Sequence, residues 1–160
     1  MAVVGLSPDP HGTWLNQVYL HAPTNAGFKG PIYPVNLKGG YIGKLRVYTS
    51  LRDIPGPVDY VISCVPAQHT QGLLEDCVAV GVKVVQLYTA GFSETGQGEG
   101  IELQRKLLDI AQRGRIRLIG PNCMGVYCPN TGMSFSADFP KEPGNVGLLC
   151  QSGGNATYLI

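Results

Sequence analysis

With 160 residues, 44% of them hydrophobic, and mean hydropathy of +0.05, the chain holds one ordinary globular core. Twelve basic against eleven acidic residues leave a net charge of +1, which offers no global field for nucleic acid or a membrane surface. No apolar run reaches the ~18 residues of a membrane span and no charged leader precedes AVVGL; the five cysteines, odd in number and without a CxxC pair, indicate neither a disulfide framework nor a zinc site. A soluble protein of the cytoplasm, or of the mitochondrial matrix after processing, is expected.

The first apolar run, AVVGL at 2–6, ends in the turn-rich stretch GLSPDPHGT. Gly5 and Gly12 stand there without the G-x-G-x-x-G spacing of a nicotinamide enzyme. Thr13 can cap the helix that follows, whose free N–H groups would face an anion such as phosphate. Leu15, Val18, Tyr19 and Ala22 then recur with helical period.

A second run, GPIYPVN at 30–36, reads as the next strand and raises a question at its end. Dinucleotide folds usually place an acid there to hold a ribose hydroxyl, whereas this strand runs into Asn36, Leu37 and Lys38. From Asp9 to Asp53 no carboxylate intervenes, while Lys29, Lys38, Lys44, Arg46 and Arg52 fall in that window. Lys38 therefore suits a phosphate on the ribose, as in NADP or coenzyme A, and disfavours NAD.

Three further apolar runs, VDYVISCVP (58–66), KVVQLYTAG (83–91) and IRLIGPN (116–122), alternate with helical segments. Residues 68–80 place Leu73, Leu74, Cys77 and Val78 on one side, and Leu103, Leu107, Ile110 and Ala111 do the same further on. Near-continuous apolar strands joined by amphipathic crossovers predict an α/β, Rossmann-like doubly wound parallel sheet. Its carboxyl ends, GLSPDPHGT, VNLKGG, CVPAQHT, TAGFSE and GPNCMG, are all rich in turn residues and together form an extended crevice.

In order and spacing, VVGLS, GFKGPIYPVNLKGG, VDYVISCVPAQ, VVQLYTAGFSETG, RLIGPNCMGVY and GNVGLLCQSGG resemble the CoA-binding domain of nucleoside-diphosphate-forming acyl-CoA synthetases. That family is related to the succinyl-CoA synthetase α subunit and includes the ADP-forming acetate–CoA ligases. The resemblance spans essentially the whole chain, with TAGFSE, GPNCMG and the QSG turn its most specific pieces. It implies that Ser7 and the Gly12–Thr13 turn approach CoA phosphates, and that the Asn36–Lys38 strand end lies near the adenosine. It also implies that Val65, Pro66 and Ala67 line the pocket, with Asn122 and Cys123 near the thiol. One departure concerns the phosphate contacts: His11 and Trp14 flank the first turn where many members open their helix on a glycine.

The same resemblance divides the chain into a CoA-binding domain at 1–143 and the opening strand and helix of a second, flavodoxin-like domain at 144–160. Ser152, Gly153 and Gly154 would form the turn that receives a phosphohistidine. That histidine, like the ATP-grasp subunit or domain that binds nucleotide, has no counterpart here. The expected function is thus the CoA-binding portion of an acid–thiol ligase, inactive alone, with no catalytic or metal-ligating residue of its own. An NADP-dependent oxidoreductase and a non-catalytic, free-standing CoA-binding regulator are the alternatives. His21 and His69 lack metal-type or triad-type partners, Glu94 reads as a helix-start acid, and Cys123 reads as pocket-lining rather than nucleophilic. The charges from Glu99 to Arg117 read as a solvated helix face.

Overall fold

A computed structural model of the chain describes residues 1–7 and 14–160. Five short parallel strands form one sheet: β1 (Ala2–Val4), β2 (Tyr33–Val35), β5 (Tyr60–Ser63), β6 (Val84–Leu87) and β7 (Arg117–Ile119). Each falls inside one of the five apolar runs. Their order, β2-β1-β5-β6-β7, is that of a doubly wound sheet in which the chain leaves β1 first toward one edge and then toward the other. The topological switch point therefore lies between β1 and β5, where ligands of such sheets bind.

The central strands β1, β5 and β6 are buried on both faces because helices cover both. On one face, helices α3 (Thr70–Val80) and α4 (Gly98–Gly114) bring Leu74, Cys77, Leu107, Ile110 and Ala111 onto Ala2, Val4, Val61, Val85 and Leu87. Val78, expected on the buried side of α3, stands partly exposed against Gly114 of α4. On the other face, α1 (Trp14–Asn16), a π-helical turn (Gln17–His21) and α2 (Ala22–Ala26) run continuously and bury Val18, Tyr19 and Ala22, as the periodicity requires. The stretch after β7 completes this cover, with Phe135 buried and Met124, Tyr127 and Phe139 packed beside it.

An antiparallel hairpin between the second and third parallel strands has no counterpart in the sequence reading. Its strands are β3 (Gly40–Ile42) and β4 (Leu45–Val47). It closes through Gly43 and Lys44, and Gly43 has the positive φ that such a two-residue turn demands. The adjoining Tyr48 bridges to Val35 and so shields part of the β2 edge, where Pro34 is tolerated.

A strand was expected from NVGLLCQ, and the structure corrects this: residues 146–150 carry no regular structure, with Val146 89% exposed. A strand needs a neighbour to satisfy its backbone groups, and this segment has none among the described residues. The short helix α5 (Gly153–Leu159) does form, capped at its start by the Ser152 hydroxyl, which accepts the Asn155 N–H at 3.2 Å.

At the switch point Gly5 has φ +99°, and a Cβ there would lie 2.8 Å from the Cys64 carbonyl carbon and 3.0 Å from the Val65 nitrogen. Gly5→Ala is expected to destabilise the fold by about 2–3 kcal/mol through backbone strain and overpacking. Gly27→Ala, at positive φ but with nothing within 4 Å, should cost only about 1 kcal/mol. Urea midpoints at unchanged m value test the contrast.

Candidate functional site

All five parallel strands send their carboxyl ends to one edge, and hydrogen bonds stitch the exits into a continuous rim. Across the switch point the Cys64 N–H donates to the Val4 carbonyl at 2.8 Å. On the β2 side, Gly5 N–H donates to the Val35 carbonyl at 2.9 Å and the Asn36 amide donates to the Leu6 carbonyl at 2.7 Å. On the other side, the Thr89 hydroxyl donates to the Val65 carbonyl at 2.5 Å, and the Asn122 N–H donates to the Thr89 carbonyl at 3.1 Å.

Asn36 thereby acquires a structural job besides the expected proximity to ligand. Its side-chain oxygen accepts the Lys38 N–H at 2.9 Å, and its carbonyl accepts the Gly39 N–H at 2.9 Å. This turn presents Lys38 on the surface. Among the described residues the Lys38 ammonium has no ion pair, whereas Arg52 from the same acid-free window is neutralised by Asp76 at 2.8 Å. Arg46 lies over the Tyr48 ring, 5.1 Å from its centroid. A cationic strand end therefore flanks the switch point.

Most of the expected site residues share this rim. Half-buried Val65 and Ala67 flank exposed Pro66 in the turn before α3, and Ala67 faces the TAGF loop, 3.4 Å from where Gly91 would carry a Cβ. Asn122 adopts φ +52°, tolerable for asparagine, and half-buried Cys123 donates its N–H to the Leu87 carbonyl at 3.0 Å. Half-buried Ser7 leaves β1 into the same crevice, its carbonyl accepting the Asn16 amide at 3.0 Å. Gly12, Thr13 and His11 lie outside the described residues. The C-terminal turn reaches the rim as well: a Cβ on Gly153 would lie 2.2 Å from Met124 Cγ, so the Ser152–Gly154 turn sits directly on the GPNCMG loop.

Two further contributors, Thr89 and Gln86, went unread in the sequence, and Trp14 was read there only as flanking the first turn. Thr89 ties two of the loops together. Trp14, 53% exposed, packs its ring 5.9 Å from Tyr88 and offers an apolar wall. Gln86, fully buried mid-strand, donates to the Cys123 carbonyl at 3.2 Å; an amide inside VVQLY was the available signal.

Among the described residues the titratable groups do not form an acid–base centre. Glu94 caps its own loop, accepting the Gly91 N–H at 2.7 Å and the Phe92 N–H at 3.1 Å. Desolvation acts to raise its pKa, yet these donors prevail and hold it below the ordinary 4.5. Burial pushes the Cys123 thiol up, against a weaker opposing hydrogen bond. Exposed ion pairs of Arg105 with Glu102 and Asp109, and of Lys106 with Glu102, account for the charged face of α4. Among the described residues no cluster suits a metal, and no helix is long and apolar enough to cross a membrane.

Residues 1–129 match the CoA binding domain family, and the chain belongs to it. The chain is 37% identical to the α subunit of the ADP-forming acetate–CoA ligase II of Pyrococcus furiosus, over 96% of this chain and 33% of that one. It is 40% identical to the ADP-forming acetate–CoA ligase II of Archaeoglobus fulgidus, over 79% of this chain and 19% of that protein. The chain thus spans about a third or less of the curated relatives it matches. The solved dinucleotide-forming acetyl-coenzyme A synthetase 1 of Ca. Korarchaeum cryptofilum, in complex with phosphate and ADP, superposes with a TM-score of 0.83 at 33% identity, over 99% of this chain and 34% of that one. A hypothetical protein from Pyrococcus horikoshii of nearer this length, 76% covered, superposes with a TM-score of 0.57 at 26% identity over 77% of this chain.

The Glu94 cap gives a pH prediction. A depressed folded pKa means that the loop's stabilisation is present above the unfolded value of about 4.3 and is lost as pH falls through the folded one. The Gly91 and Phe92 amide resonances should titrate together with a midpoint below 4.5, the ordinary value. In Glu94→Gln the two amides should show no such transition.

Proposed function

We propose that this member of the CoA binding domain family is the CoA-binding portion of an NDP-forming acid–CoA ligase, the rest of the catalytic machinery lying in segments outside this chain. The observation that carries the reading is the cationic, acid-free strand end at the switch point: Asn36 holds the turn that presents Lys38 where a ribose-binding acid would otherwise stand. A 3′-phosphorylated ribose matches that cation. Ser7 and the Gly12–Thr13 turn would take the pyrophosphate, and the Val65–Ala67 turn with the Trp14–Tyr88 wall would line the pantetheine arm. Asn122 and Cys123 would then meet its thiol end.

The overall reaction joins a carboxylic acid and CoA at the expense of a nucleoside triphosphate, giving acyl-CoA, a nucleoside diphosphate and phosphate, through an acyl phosphate and a phosphohistidine. We assign no bond-making step to a residue of this chain. Its role is to hold CoA with the thiol directed toward the Ser152–Gly154 turn, where the phosphohistidine of another segment would arrive. Seating of that turn on Met124 supports the arrangement, since it would bring thiol end and phosphoryl end together. We place the domain boundary at residue 143; residues 141–152, exposed throughout, have the character of a linker. A cytoplasmic location is the companion proposal, in keeping with relatives drawn from archaea. The likeness to the first third of a synthetase, at 0.83 over 99% of the chain, exceeds that to a protein of nearer this length, at 0.57 over 77%, which favours the ligase over a free-standing regulator.

Calorimetric titration with CoA, 3′-dephospho-CoA, NADP and NAD tests the reading. CoA should bind tightest, and dephospho-CoA about tenfold or more weakly, since a desolvated charge-assisted contact contributes roughly 1.5–3 kcal/mol. Lys38→Ala should abolish that difference, and removal of residues 144–160 should leave CoA affinity within about threefold of the full chain. NAD binding tighter than CoA would sink the proposal.

A further inference from the structure

The least expected feature of the core is a polar chain running through it. Gln86 sits in the middle of β6, fully buried, in a sheet whose only other fully buried polar side chain among the described residues is Ser63 at the end of β5. The Tyr60 hydroxyl donates to the Gln86 side-chain oxygen. Its amide nitrogen has two protons and finds two acceptors, the Tyr19 hydroxyl oxygen at 3.5 Å and the Cys123 carbonyl at 3.2 Å. The Tyr19 hydroxyl in turn donates to the Met124 carbonyl at 2.7 Å.

Every donor in this chain points the same way. It starts at Tyr60, passes through Gln86 and Tyr19, and ends on two consecutive carbonyls of the loop after β7. Desolvation, helped by neighbouring thiols and phenols, holds both tyrosines above their ordinary pKa, so both hydroxyls keep their donor protons across physiological pH. Burial makes each unmade bond expensive, so the loop carbonyls are pinned rather than merely contacted. The pinned residues are the two that follow Asn122, and the second of them, Met124, carries the Gly153 turn on its side chain.

We propose that Tyr19, Tyr60 and Gln86 are positioning residues for the 120–125 loop, fixing where Asn122 and Cys123 meet the arm of the bound ligand and where the Ser152–Gly154 turn stands beside it. The assignment rests on the CoA reading above for the ligand, while the pinning of the loop rests on the hydrogen bonds alone. Core packing by itself does not need this arrangement, because apolar side chains of similar size would fill the same space without unsatisfied groups. What the polar chain adds is direction: the donors fix the two carbonyls in orientation, and with them the consecutive Cys123–Met124 and Met124–Gly125 peptides.

Two variants of the full 160-residue chain test this, Tyr19→Phe, which keeps the ring and deletes one donor, and Gln86→Met, which keeps the length and deletes both amide protons. The probes are CoA and adenosine 3′,5′-bisphosphate, which shares the nucleotide end but lacks the arm. CoA affinity should fall about threefold to tenfold in each variant while bisphosphate affinity stays within about twofold. Equal losses for both probes, as a general weakening of the fold would give, or no loss for CoA, would overturn the proposal. A ligand-free readout covers the case in which Gln86→Met does not fold: in Tyr19→Phe, alkylation of native Cys123, measured by peptide mass spectrometry, should quicken several-fold relative to Cys64. Burial raises the Cys64 thiol to about 12, and it serves as the internal reference. An unchanged ratio would show that the loop is not held from Tyr19. Wild-type chain that binds both probes equally would instead remove the arm from the site, refuting the CoA assignment while alkylation still decides on the pinning.

Discussion

The structure depends on satisfying the backbone where five parallel strands end together. A parallel sheet sends every chain exit to the same edge, and the loops there carry N–H and C=O groups that the ladder no longer pairs. In this chain those groups are used to bind one loop to the next: Val4 to Cys64, Leu6 to Asn36, Val65 to Thr89 and Thr89 to Asn122. Because the bonds run sideways along the rim, no single strand end moves without its neighbours. The close approach of Gly5 to Cys64 and Val65 is the same constraint expressed as packing, since a side chain at Gly5 would wedge the rim open at the switch point. A ligand-binding edge made of short strands, three or four residues each, gains its rigidity from this stitching rather than from strand length.

Much of the fold could be read from the pattern of residues, and the reasons are local. Five runs of β-branched and aliphatic residues can be buried on both faces only as parallel strands, and the spacing of Leu103, Leu107 and Ile110 can serve only a helix. What escaped had no such signature. The segment GYIGKLRV carries its turn in Gly43 and Lys44, and its strands are largely exposed, so hydrophobic periodicity is silent there. NVGLLCQ shows the opposite error: its composition favours a strand, but strand formation is a property of pairs, and among the described residues no pairing partner lies beside it.

The site was legible in part for similar reasons. Lys38 stood out because it replaces a residue type that the fold usually demands at that position, and a substitution against expectation carries information. Asn36 gave no hint that its side chain would hold two loops, since a strand-end asparagine has many uses. Thr89 and Gln86 act through partners 24 and 37 residues away, Val65 and Cys123, and only the folded chain brings those together. Glu94 was separable from a general base by its place beside a glycine-rich turn, and its two backbone donors give the physical ground for that separation.

Positive charge is placed economically on this surface. Arg52 is consumed by Asp76, and Arg105 and Lys106 by the carboxylates of their own helix, while among the described residues Lys38 has no carboxylate partner in the turn beside the switch point. A cation without a partner on the surface has a small desolvation cost while the site is empty and gains most when a phosphate displaces water from both groups. The distal end of the crevice is built on the contrary principle, with buried donors aimed at carbonyls and no net charge. A ligand anchored by charge at one end and guided by fixed geometry at the other can bind through its nucleotide while its reactive end is directed. That division suits a cofactor whose far tip must be presented to chemistry performed elsewhere.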